Sequence, residues 1–452
     1  MNLRKFLLLS IVVLLVCQLG FAASAPDKTI VTKALAANVQ SGRPVRVVPL
    51  TQADKHHARP NIILFHSGPM AKAQANSEPY FPCNTSNIYG GYTFCPSGLQ
   101  GAYGTKQIAS ANGGSGSVIA IVDAYAYANA ESDLAHFNAV MGLPPCTTAN
   151  GCFTSVNLSP YDGSGSGWDI ESMLDLESAH AMAPNAKIIY VQAYDNSYDG
   201  LGQADDIAAK GCPASVYCAG YGVASSPAGD VVSNSWSGGE YTYYDFYWNQ
   251  SVPMLYASGD GGSFYYTGPG YPCTALTVSC IGGTSLYVNS QLQRTSEVGW
   301  IGSGGGCSLA EPIPSWQGNV GSGVCSPYRA TPDIAADADP YTGFELYICN
   351  VYSGCGWAIY GGTSLATPIT AGLVADIDTA RVAFGKGKLT FLNTEFYAAA
   401  TYNYNYYFYD VVYGTNDFYG NGFYNAGPQF DLVTGLGNAT GKALASRFFG
   451  IP

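Results

Sequence analysis

The chain has 452 residues and a formal net charge of -12 at pH 7. Only 11% of its residues are charged, against 47% hydrophobic and 13% aromatic. No basic patch is present to neutralise phosphates, which excludes a nucleic-acid binder, and the length suits one large domain or two. Few lysines and arginines also mean little charge repulsion once carboxylates protonate, as an acidic milieu would require.

The N-terminus reads as a secretory signal over residues 1–25. Arg4 and Lys5 precede an apolar run from Phe6 to Phe21, and Ala22-Ala23-Ser24-Ala25 offers small-residue cleavage sites. A secreted, extracellular protein is expected, with no membrane association once the signal is removed; no other segment is long enough to span a bilayer. Residues 26–78 carry no cysteine and include Lys55-His56-His57-Ala58-Arg59-Pro60. They read as a short pro-segment or linker. Ser117 to Asp123 is a buried-strand run and Glu131 to Val140 a helix. Trp168 to Ala183 reads as a second helix, ended by Pro184, and Ala186 to Val191 as another buried strand. Further strands near 231, 253 and 277 alternate with helical or loop connections. This alternation predicts an α/β fold with a mostly parallel sheet, helices on both faces and a site at the strand C-terminal ends. The tyrosine- and asparagine-rich run from Tyr402 to Tyr424 reads as a surface strand and loop.

Three stretches carry chemistry. Glu171 and Asp175 are four residues apart and share one helix face, where like charges repel. Beside a core, such a pair shares a proton and one pKa rises, giving a base that works in acid; the alternative is a solvated acidic face. Val252 to Ala257 runs into Ser258-Gly259-Asp260-Gly261, where Asp260 is either a simple turn residue or, if protonated, an oxyanion donor. Gly361-Gly362-Thr363-Ser364-Leu365-Ala366-Thr367-Pro368 puts a serine after a tight turn and before an apolar helical run. Ser364 is either an N-cap or a nucleophile exposed at a helix start that favours developing negative charge.

Of 13 cysteines, Cys17 lies in the signal. The other twelve form close sequential pairs, 83–95, 146–152, 212–218, 273–280, 307–325 and 349–355. An even count in a secreted chain predicts these six disulfides; zinc has no C-x-x-C pair or nearby histidine to support it. The five histidines, His56, His57, His66, His136 and His180, lie in no His-Gly-Thr-like turn. His136 and His180 read as core or surface residues, and Asp123 as a carboxylate that supports the catalytic residues or fixes a loop rather than a catalytic one.

Together, in order and spacing, these motifs resemble the sedolisins, serine-carboxyl peptidases with a subtilisin-like fold, over residues 79–452, the expected catalytic domain. Cys95 to Gly104 resembles the family's entry into that domain. Ser364 matches the family's nucleophile motif, Glu171 and Asp175 its catalytic acids, Asp260 its oxyanion turn. The resemblance implies a serine-type endopeptidase acting on protein or peptide substrates, with Ser364, Glu171, Asp175 and Asp260 catalytic. Ser233 to Glu240 resembles the substrate-edge strand, so Ser235, Trp236, Ser237 and Gly238 would bind peptide main chain, with Trp236 as a pocket wall. The C-terminal loops resemble the family's calcium site, implying one structural Ca2+ held by the Asp410 and Asp431 side chains and the Val411, Gly427 and Gln429 carbonyls. A monomer is expected. The chain departs from the pattern in its short pro-segment, in Ser237 and Gln429 where glycine is usual, and in Gly261-Gly262 after the oxyanion aspartate. Two other readings stay open. One is a catalytically silent homologue that binds peptides or a protein partner. The other is a neutral subtilase using Asp123, His136 and Ser364.

Overall fold

A computed structural model describes residues 56–67, 83–86, 92–108, 112–263, 269–318, 320, 322–350, 354–418, 420 and 424–439. The signal sequence and most of the 26–78 segment lie outside the described residues.

At the centre is an eight-stranded sheet. Its order runs Arg294–Gly299, Ser279–Val288, Met254–Ala257, Val231–Asn234, Val118–Ala124, Lys187–Ala193 and Phe153–Asn157, with Ile334–Asp337 also paired to Ser279–Val288. Every pairing is parallel except that of Arg294–Gly299 with Ser279–Val288. Val118–Ala124 shows why both faces are covered. Alternate side chains point to opposite faces of a strand, and here both sets are apolar. Ile119 and Ile121 join one core, with Met173, Leu174 and Leu365. Ala120 and Val122 join the other, with Leu201 and Ile207 of the helix Tyr198–Lys210. The alternation read from the sequence therefore corresponds to the subtilisin-like α/β arrangement.

The first core holds the helices that carry the candidate chemistry, Trp168–Met182 and Thr363–Ala383. They pack closely because position 372 has no side chain. A Cβ added to Gly372 would lie 2.4 Å from the Met182 Cβ, which is not possible without moving one helix.

All six expected disulfides are present. Cys146 and Cys152 lie near His180, and Cys83 and Cys95 near Glu345, but their sulfurs are spent in S–S bonds. Among the described residues no helix is long and apolar enough to cross a membrane. The start of the tyrosine-rich run departs from the expected strand and loop. Tyr402 to Tyr407 close the helix Leu392–Tyr407, and only Phe408–Tyr409 form a short strand.

The described part of the 26–78 segment is built into the body. Arg59–Pro60 pairs antiparallel with Trp236–Ser237, and Ile63–Ser67 pairs antiparallel with Gly354–Gly361, beside Phe344–Asn350.

Replacing Gly372 by alanine is expected to force the two helices apart, at a cost of about 1–3 kcal/mol. Calorimetry should show a melting temperature several degrees lower, and an unchanged value would mean the contact has slack.

Candidate active site

Ser364 sits where the strand Gly354–Gly361 turns into the helix Thr363–Ala383. Gly362 makes the turn at φ 113°, a conformation that disfavours side chains. Ser364 is the second residue of the helix, so its N–H has no partner within the helix. It donates instead to the Asn61 carbonyl, at 3.1 Å. The Ser364 hydroxyl donates to the Ser235 carbonyl at 3.0 Å. Pro368 lacks the N–H that would bond the Ser364 carbonyl from four residues on; the Ser235 hydroxyl supplies that bond at 3.2 Å. Proline in the motif thus ties the Ser364 helix to the neighbouring strand.

Glu171 and Asp175 are completely buried, as is Asp123 at the end of Val118–Ala124. None of their six carboxyl oxygens has a hydrogen-bond partner. Burial pushes the Glu171 carboxyl well above the usual range; the Asp175 and Asp123 charges add to this, and the Ser364 hydroxyl opposes it. Burial and then Asp123 raise Asp175 in the same way, opposed by the Ser235 hydroxyl. Asp123 itself is pushed up to about 7 by burial, against the Ser172 hydroxyl. Three carboxyls so close cannot all ionise in a desolvated site, so they share protons. Asp123, read from sequence as a carboxylate that supports the site or fixes its loop, is electrostatically part of this cluster. Its position at the end of an apolar strand was the available signal.

Asp260 follows the strand Met254–Ala257 and a glycine at φ 104°. Its Oδ1 accepts the Thr363 N–H at 2.7 Å and the Thr363 hydroxyl at 2.9 Å. Its Oδ2 is buried and unpartnered. Burial raises this carboxyl to about 7, with both Thr363 bonds pulling the other way. A Cβ on Gly362 would lie 2.2 Å from the Asn61 carbonyl oxygen and 2.5 Å from Asp260 Oδ2. The absent side chain is what lets a peptide carbonyl, the Ser364 N–H and the Asp260 carboxyl meet. Protonated, Asp260 can donate into that spot.

Trp236 differs from the expected pocket wall. Its ring is wholly buried against Trp248 and Tyr256, and Nε1 donates to the Val122 carbonyl at 3.0 Å. Only its main chain, opposite Pro60, faces the cleft strand. Ser237 donates to the Asn61 Oδ1 at 3.0 Å, and Gly238 exchanges main-chain bonds with Tyr271.

Among the described residues, neither His136 nor His180 bonds the Ser364 hydroxyl. His136 stacks on Tyr347 with ring centroids 3.9 Å apart, and His180 bonds the Pro144 carbonyl. In the C-terminal loops, the Asp410 carboxyl accepts the Gln429 N–H, Asp431 accepts the Gly427 N–H, and both acids act on Tyr404. Gln429 takes the left-handed conformation at φ 66°, the backbone that glycine would otherwise provide. Two acids and an irregular loop thus converge on one place, with oxygen donors suited to a hard cation.

A parallel α/β sheet with a serine at a helix start and buried carboxyls behind it defines the subtilisin-like class of fold. The chain is 30% identical over 348 residues to kumamolisin from Bacillus sp. (strain MN-32), covering 70% of this chain and 57% of kumamolisin. It is 33% identical over 209 residues to sedolisin from Pseudomonas sp. (strain 101), covering 42% of this chain and 33% of that protein. It is 30% identical over 221 residues to tripeptidyl-peptidase 1 of Bos taurus, covering 43% and 37%. The solved structure of Pseudomonas sedolisin, a serine-carboxyl proteinase complexed with two molecules of pseudo-iodotyrostatin, superposes with a TM-score of 0.63 at 24% identity. That match covers 80% of this chain and 99% of the sedolisin chain. No family model matches. The chain belongs to the sedolisin family, and it spans little more than half of kumamolisin's length and a third of sedolisin's.

A carboxyl raised in the folded state keeps its proton longer there than in the unfolded chain. Its stabilisation is complete below the ordinary carboxyl pKa of about 4 and is lost as pH rises through the folded value, about 7 for Asp123 and Asp260. The melting temperature is therefore expected to fall between pH 4 and pH 7. Asp123→Asn and Asp260→Asn, which stay neutral, should each flatten that slope; an equal slope in both variants and wild type would exclude these groups as its source.

Proposed function

We propose that this chain is a secreted, acid-acting serine-carboxyl endopeptidase. The observation that carries the reading is the meeting of the Ser364 N–H and the free Asp260 Oδ2 around one peptide carbonyl, with the Ser364 hydroxyl near enough to Glu171 to oppose the rise of its carboxyl. Six disulfides fit an oxidising compartment.

In this mechanism the shared protons of the cluster rest on Asp175 and Asp123, and the Ser364 hydroxyl turns from the Ser235 carbonyl to the ionised Glu171, which takes its proton as the oxygen attacks the peptide carbonyl. Asp175 and Asp123 tune Glu171 by sharing protons with it. Protonated Asp260 and the Ser364 N–H stabilise the oxyanion. The substrate lies along Trp236–Ser237 as an added strand, with Ser235 and Gly238 flanking it. Activity is confined to acid because Asp260 must hold its proton, which is lost near pH 7.

One structural Ca2+ would be held by the Asp410 and Asp431 carboxylates and the Val411, Gly427 and Gln429 carbonyls. Bound there, it would supply charge that keeps the two acids and their loops together.

The test is cleavage of an unfolded protein from pH 2 to 8. Wild type should act only in acid, Ser364→Ala and Glu171→Ala should lose at least about 10⁴-fold in kcat, and Asp260→Ala about 10²–10³-fold. Activity peaking near neutrality and surviving Glu171→Ala would overturn the reading. Calcium chelation is expected to lower the melting temperature by several degrees, restored by calcium and not by magnesium; no shift would exclude the site.

A further inference from the structure

The strand Trp236–Ser237 leads directly into an aromatic surface. Residues 56–61 trace the path of an extended chain along it. The Asn61 carbonyl accepts the Ser364 N–H, and the Asn61 N–H donates to the Ser235 carbonyl, both at 3.1 Å. Arg59 and Pro60 pair antiparallel with Ser237 and Trp236. On the opposite rim the Ala58 N–H donates to the Asn196 carbonyl at 2.8 Å, His57 pairs with Ser197, and the His56 carbonyl accepts the Tyr198 N–H at 2.9 Å. Main-chain bonds of this kind hold any peptide whatever its side chains. Counted back from the carbonyl at Ser364, they continue to the sixth residue, the position of His56.

That sixth position meets rings. His56 lies edge-on to Tyr241, with centroids 4.7 Å apart, and to Tyr244 at 6.0 Å. The surface runs on from there, with Tyr241 and Tyr243 centroids 6.1 Å apart and Tyr243 and Phe246 centroids 6.4 Å apart. Tyr241, Tyr243 and Phe246 are 38%, 71% and 57% exposed. A lone exposed ring is ordinary. These three adjoin one another and continue the cleft, as a surface that binds a partner does. Their backbone is fixed from several directions. Glu240 accepts the Leu309 N–H at 2.8 Å and the Ser308 hydroxyl. The Tyr198 hydroxyl donates to the Gly239 carbonyl at 2.8 Å, and Asp245 accepts the Tyr271 hydroxyl at 2.6 Å. A surface held in this way loses little freedom when something binds to it.

We propose that Tyr241, Tyr243 and Phe246 form a remote substrate subsite that takes an aromatic side chain six residues before the cut bond, counting the residue whose carbonyl is attacked as the first. The inference rests on the peptidase reading above and specifies its substrate, a long unfolded chain rather than a short peptide. Ring pairs favour edge-to-face contact with centroids about 4.5–7 Å apart, the spacing His56 shows against Tyr241 and Tyr244. Side chains alternate along an extended chain, so the fifth residue points away from the rings that the sixth one meets. The three rings touch no reacting atom. They bind a distant part of the substrate, and binding energy gained there can be used at the reacting bond.

Peptides of one sequence, cut at one known bond, would be compared in acid with Phe or Ala at the sixth residue before the cut, and with Phe moved to the fifth. Phe at the sixth residue is expected to raise kcat/KM about three- to tenfold over Ala, the size of one aromatic pair, and Phe at the fifth to give no gain. Tyr241→Ala should bring the Phe-to-Ala ratio close to one, and Tyr243→Ser, at the most exposed of the three rings, should lower it. A wild-type ratio near one, an equal gain from Phe at both places, or a ratio unchanged in both variants would overturn the subsite and leave the peptidase reading standing. No cleavage of any peptide at any pH would sink both. If Tyr241→Ala does not fold, Tyr243→Ser and the shift of Phe by one residue decide.

Discussion

Burial without a counter-cation dominates Glu171, Asp175 and Asp123. All three lie in the core between the central sheet and the helices Trp168–Met182 and Thr363–Ala383, with no hydrogen bond on any carboxyl oxygen. Desolvation disfavours the charged form of each, and their mutual repulsion adds to it. A cluster of this kind is tolerated because its members keep their protons. The same holds further away: Asp376 and Asp378 on the Ser364 helix are raised to about 8 and about 7, chiefly by burial. Asp333, by contrast, has a buried cation, Arg329 at 2.6 Å. With 19 lysines and arginines against 31 acids in the whole chain, such pairing cannot be general. Low charge content and buried carboxyls that keep their protons are two aspects of one constraint.

Close backbone approach is the second requirement. Gly372 lets the carboxylate helix and the serine helix touch, and Gly362 opens the spot where a carbonyl, an N–H and the Asp260 carboxyl converge. Both are places where an added methyl group would collide with a fixed neighbour. The first controls how closely the helices that carry Glu171 and Ser364 approach, the second whether a backbone carbonyl can lie beside the Ser364 N–H. Pro368 works in the same direction, because the N–H it lacks frees the Ser364 carbonyl for Ser235.

Much of this was legible in the chain. The apolar run 118–122, the i, i+4 spacing of Glu171 and Asp175, and the six close cysteine pairs are local patterns, and local patterns survive into the fold. Three features were not legible. Asp123 joins the carboxyl cluster only because Val118–Ala124 lies beside Lys187–Ala193 in the sheet. Trp236 turns its ring into the core because the strand pleat puts it there, where Val122 offers a carbonyl. Asn61 reaches Ser364 across some three hundred residues of sequence, and no spacing rule covers such a distance.

By itself, then, the sequence determined the residue types, the order of strands and helices, the disulfide pairs and the positions of the candidate serine and acids. Each of these depends on neighbours within about one helical turn, one strand or one short loop. Only the tertiary structure decided which acids are buried together, which side of Trp236–Ser237 turns into the core, and that residues 58–61 lie along that strand. Those outcomes depend on desolvation and on sheet and helix packing, which arise from contacts between segments far apart in the chain.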